Sequence, residues 1–71
     1  MSTESYYQVK HEEKGEFVVS EQITDFWELQ EYLNFLEGKG IRSIESFRYE
    51  SNKLVKSANF ILNDKNMWEK L

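Results

Sequence analysis

The chain has no cysteine and no proline, one histidine and three glycines. Without cysteine there is no disulfide to brace a small fold and no thiolate to attack a substrate or hold a metal. Without proline, and with glycine confined to Gly15, Gly38 and Gly40, regular structure is interrupted in few places. A single imidazole, His11, rules out the usual zinc sets built from several His and Cys ligands. Placed beside Glu12 and Glu13 at the end of a strand pattern, His11 reads as a surface residue.

Catalytic motifs are missing as well. There is no Gly-x-Ser-x-Gly, and Gly38-Lys39-Gly40 lacks both the third glycine of a dinucleotide loop and the Lys-Ser/Thr of a P-loop. Asn63-Asp64-Lys65-Asn66 lacks the alternating acids, the glycine and the closing Glu of a calcium loop. Carboxylates are plentiful, but they fall in a turn and on a polar helix face, and general acid–base work needs a cleft that a chain this short has little volume to form. No catalytic, cofactor-binding or metal-ligating residue is therefore expected, and the chain reads as a non-enzyme.

No uninterrupted apolar run exceeds three residues, as in Phe60-Ile61-Leu62, which is far too short to span a bilayer. Met1 to Ser5 shows neither a basic start nor an apolar segment. A cytoplasmic protein without membrane association is expected. The lysine-, asparagine- and aromatic-rich composition suits an AT-rich bacterial or phage genome.

What remains is enough for one domain spanning residues 1–71, with residues 1–4 expected to be unstructured. Aromatic residues make up 15% of the chain, and large rings supply much of a small core's burial. That weighs against disorder despite 31% charged residues. The net charge of −4 is unevenly laid out. Residues 1–37 carry nine acids against Lys10 and Lys14, a balance of −7, whereas residues 38–71 carry four acids against seven bases, a balance of +3.

Period-two alternation over Ser5–His11 puts Tyr7, Val9 and His11 on one face of a strand. A polar turn at Glu12-Glu13-Lys14-Gly15 leads to a returning strand over Glu16–Ser20. A helix is expected from about Thr24 to Glu37, with Thr24 as N-cap and Gly38 as terminator. At about 100° per residue, Phe26, Leu29, Leu33 and Leu36 share one stripe with Tyr32 at its edge, a core-facing pattern. Trp27, Glu31 and Phe35 form a separate row. Ile41 to Glu50 is ambiguous at its start, where Ile41, Ile44 and Phe47 stand three apart, and becomes a strand by Phe47 and Tyr49. Leu54 to Asn63 is a fourth strand with Leu54, Ala58, Phe60 and Leu62 on one face. The final residues suggest one helical turn capped by Asn63 or Asp64. The expected fold is α+β, in the order β-β-α-β-β. One helix packs on a mainly antiparallel four-stranded sheet, with a short C-terminal helical turn.

Three functions are compatible with this pattern. The first is a protein-binding module, a regulator or inhibitor of bacterial or phage type. It uses Trp27 and Phe35, which are off the core stripe and framed by Glu28 and Glu31. The competing role for this row is cover by the C-terminal Trp68 and Leu71, and a homodimer contact is another. The second is nucleic-acid binding by the basic second hairpin through Arg42, Arg48, Lys53 and Lys56. Against it, Phe47 and Tyr49 on that hairpin read more simply as core residues. The third is an acidic mimic of nucleic acid that inhibits a DNA-binding protein, using the eight acids between Glu12 and Glu37.

Overall fold

The computed structural model describes residues 4–71. The elements are β1 (Ser5–Glu13), β2 (Glu16–Val19), α1 (Phe26–Gly38), β3 (Ser43–Glu50), β4 (Lys53–Leu62) and β5 (Trp68–Lys70). They form an α+β domain with one five-stranded antiparallel sheet in the order β2-β1-β3-β4-β5. Strands β2 and β3 both run antiparallel to β1, so they are parallel to each other with β1 between them, and α1 makes the crossover. Of the N-terminal stretch expected to be unstructured, residues 1–3 lie outside the described part. The carbonyl of Glu4 accepts a hydrogen bond from the Ser51 N–H at 2.8 Å.

Two-residue turns set the registers. Lys14 and Gly15 both have positive φ, 53° and 82°, as the hairpin turn that matches strand twist requires. Ser51 and Asn52 do the same between β3 and β4. Residues directly opposite each other share a face, and the face that alternation predicts for Tyr7, Val9 and His11 points to the helix side, so His11 is turned inward rather than to the surface. Ile44, Ala58, Phe60, Leu62 and Trp68 follow on the same side. Val9 and Leu36 are fully buried, and Ile23 and Ile44 complete the central cluster.

The helix starts and ends differently from the sequence expectation. Asp25, not Thr24, is the N-cap, its Oδ1 accepting from the Trp27 N–H at 2.9 Å. Gly38 is the last helical residue. Termination falls to Gly40 (φ 85°), where Ile41 N–H bonds Leu36 O and Gly40 N–H bonds Glu37 O, each at 3.0 Å. These two bonds define a Schellman cap, and Ile41 packs on the core beside Leu36. Phe26 leaves the expected core stripe and is 61% exposed, because it sits in the first turn at the margin of the stripe set by Leu29, Tyr32, Leu33 and Leu36.

The C-terminal helical turn does not form, and the strand count is five. Asn63 Oδ1 accepts from Lys65 and Met67 N–H groups, and Asn66 turns with φ 60°. The chain reverses and Trp68 pairs opposite Leu62. No helical turn forms at Ile41–Phe47 either, since Ser43 to Glu50 is strand throughout.

Leu54 also changes face. A register shift at Arg48/Tyr49 pairs Arg48 with Lys56 but Tyr49 with Leu54, leaving Val55 as the extra residue of a bulge. Leu54 therefore joins Tyr6, Phe47 and Tyr49 on the sheet face away from the helix. Phe47 and Tyr49 are not core residues. They line an open face, on which Tyr6 and Tyr49 stack at 5.0 Å.

Candidate functional site

α1 presents its aromatic row to solvent. Trp27 is 73% exposed and Phe35 57%. Phe26 and Trp27 meet edge to face at 6.4 Å, and Tyr32 lies 6.2 Å from Phe35. The C-terminal segment does not cover them. Trp68 packs on the sheet-side cluster, and Leu71 is itself exposed. Glu28 and Glu31 are exposed beside the rings, so the outer helix face combines large apolar surface with negative charge. Phe26 belongs to this surface although its spacing places it on the core stripe.

At the C-terminal end of α1, Lys39 Nζ lies 5.3 Å above the Phe35 ring and 2.8 Å from Glu13 Oε1. The Lys39 ammonium holds the Glu13 carboxyl below its ordinary range, with a smaller contribution from His11. Burial pushes the neighbouring Tyr32 hydroxyl up. His11 is 4% exposed, not a surface residue, because alternation along β1 turns it into the helix–sheet layer. Its Nε2 stands 3.5 Å from Glu13 Oε2, and its Nδ1 is buried without a protein partner among the described residues. Among the described residues no three His, Asp or Glu side chains converge on a metal-sized site.

The four basic residues singled out in the sequence are only partly gathered. Arg48 and Lys56 are directly opposite, and the register puts Lys53 on the same side beside the turn. Arg42 lies at the far end of β3, donating to the Leu62 carbonyl at 3.0 Å. Lys70, read in the sequence as part of a terminal turn, instead joins Arg48 and Lys56 around a shallow cleft of about 170 Å³ floored by Tyr7, Ala58 and Phe60. Glu50 offsets one of these charges, 3.2 Å from Arg48.

The acids of the first half are not all free. Glu13 pairs with Lys39 and His11, and Asp25 caps the helix. On the open sheet face Lys10 sits 3.3 Å from Glu45 and 4.7 Å over the ring of Phe17. Among the described residues no helix is long and apolar enough to cross a membrane. No family model, no curated protein and no solved structure matches this chain.

Proposed function

We propose that the chain is a non-enzymatic protein-binding module, a small regulator, inhibitor or adaptor, whose partner docks on the outer face of α1. Trp27 and Phe26 are its central anchors, Phe35 extends the surface, and Glu28 and Glu31 supply charge for a basic partner. The observation that carries this is the exposure of three large rings on one helix, at 61%, 73% and 57%, in a domain with few buried apolar residues. Exposed aromatics rimmed by polar groups are the usual composition of an interface hot spot. The test is affinity capture from the native host with the wild-type chain and with Trp27→Ala and Phe35→Ala. A co-purifying protein is expected that both variants lose while retaining wild-type stability. Capture unchanged by either substitution contradicts the proposal.

A second reading is favoured by the Arg48–Lys56–Lys70 cleft. Like charges directly opposed across a ladder are unfavourable by themselves, and an anionic ligand relieves that. A phosphodiester chain on these three cations predicts weak binding of a single-stranded oligonucleotide that falls steeply with salt. Fluorescence anisotropy at low salt checks it, and an unchanged signal in Arg48→Ala and Lys56→Ala removes it.

A further inference from the structure

The outer edge of β2 is unguarded. Ser20 N–H donates to the Val9 carbonyl at 2.9 Å, so Ser20 faces β1. By alternation along the strand Val18 also bonds inward, and the N–H and C=O of both Phe17 and Val19 point outward. Natural edge strands are commonly blunted by lysine, proline or a bulge. Glu16-Phe17-Val18-Val19 is short and carries one charge, Glu16, but has no lysine, proline or bulge, and its register with β1 is continuous from Glu16 to Val19. All four side chains are exposed, Phe17 to 69%.

We infer that this edge docks a second copy of the same chain, as an antiparallel β2–β2 pair with a two-fold axis at Val18. In that register Phe17 lies opposite Val19 of the other copy, twice. The four outward groups of each chain then satisfy those of its mate in four backbone hydrogen bonds. Phe17 and Val19 both lie on the open sheet face, so their apolar side chains meet there. At the ends of the strand Glu16 falls opposite Ser20, so no like charges are opposed within the paired segment. Hydrogen bonding, apolar pairing and charge are thus each self-complementary in one register, as an isologous contact requires. A foreign strand would have to match all three from another sequence. The contacts of Lys39 with both Phe35 and Glu13 place Phe35 on the side of α1 nearest the β1–β2 hairpin, which flanks the same edge with a further exposed ring.

Sedimentation equilibrium of the full chain should show a mass rising with concentration towards twice the monomer. Val19→Pro removes an outward N–H and no bond to β1, so the mass should return to the monomer with the circular dichroism spectrum kept. The chain has no cysteine, so a single introduced thiol reports the register directly. Across the proposed axis the two position-18 Cα atoms form a non-hydrogen-bonded pair about 4.5 Å apart, within disulfide reach. Val18→Cys should therefore link into a covalent dimer under mild oxidation, whereas Phe17→Cys and Val19→Cys, with thiols on different rows, should link far more slowly. A monomer at every concentration overturns the inference, and so does fastest linking at position 17 or 19. Trp27→Ala should leave all of this unchanged, which separates the edge contact from the partner proposed for α1.

Discussion

Trp68 stands directly opposite Leu62 across the β4–β5 ladder, and its ring packs on the core cluster that Trp27 leaves untouched. Truncation of the two tryptophans should therefore have very different costs. Trp68→Ala should lower unfolding free energy by about 2–4 kcal/mol, the range for large-to-small changes at a packed site. Trp27→Ala should stay within about 0.5 kcal/mol, as for surface substitutions. Trp68 Nε1 is buried without a protein acceptor among the described residues. Trp68→Phe should consequently cost much less than Trp68→Ala, because it deletes an unsatisfied donor. Urea denaturation of the four proteins measures all three differences.

The two glycines at the end of α1 give changes of opposite sign. Gly38 is helical and nothing lies within 4 Å of the position its Cβ would take. Gly38→Ala should stabilise by about 0.5–1 kcal/mol through helix propensity and lower unfolded-state entropy. Gly40 is equally uncrowded but has φ 85°. Gly40→Ala should destabilise by about 1 kcal/mol through backbone strain alone. Thermal melts of the pair decide it, and a stabilised Gly40→Ala would show that the Schellman cap is not formed.

The start of the helix offers a parallel comparison. Asp25 accepts the Trp27 N–H, so Asp25→Ala should cost about 1 kcal/mol. Thr24 caps nothing, and Thr24→Ala should be close to neutral. Chemical denaturation compares them.

These boundaries show what was legible in the sequence and why the rest was not. Alternation groups Tyr7, Val9 and His11 on one face, and helical spacing finds Leu29, Leu33 and Leu36. Each follows from local geometry alone. The bulge that turns Leu54 to the open face, and the turn at Asn63–Asn66 that makes Trp68–Lys70 a strand, depend on pairing with distant strands. Periodicity carries no such information. The sequence offers Asn63 or Asp64 as a helix cap, and the Asn63 side chain does accept two nearby N–H groups, but in a turn that reverses the chain. His11 is buried by the same alternation although its charged neighbours Glu12 and Glu13 suggest a surface position. Of the surface proposed for binding, Trp27 and Phe35 were visible as residues off the core stripe. Phe26 and Lys70 were not, since one lay on the stripe and the other in a segment read as helical.

Acid should weaken the domain partly through Glu13. Its folded-state carboxyl titrates below the unfolded value because Lys39 donates to the charged form. The stability it contributes is present above the unfolded carboxylate pKa and lost as pH falls through the folded one. Lys39→Met should flatten the acid limb of stability against pH. Tyr32 acts at the other end. Burial raises its hydroxyl pKa, so its contribution holds below the unfolded tyrosine pKa and is lost as pH rises through the folded one. Tyr32→Phe should reduce the alkaline loss. Denaturant midpoints collected across pH measure both limbs.

On the proposed reading, the outer face of α1 meets a protein. Glu31 lies between Trp27 and Phe35 on the exposed row and is not part of the core cluster. The most direct measurement replaces Glu31 with a photo-crosslinking benzoylphenylalanine and irradiates cells of the native host, leaving both rings in place. A covalent adduct to one other protein, lost when Trp27→Ala is added, is the predicted result. No adduct, or adducts only to nucleic acid or to a second copy of the chain, would contradict it.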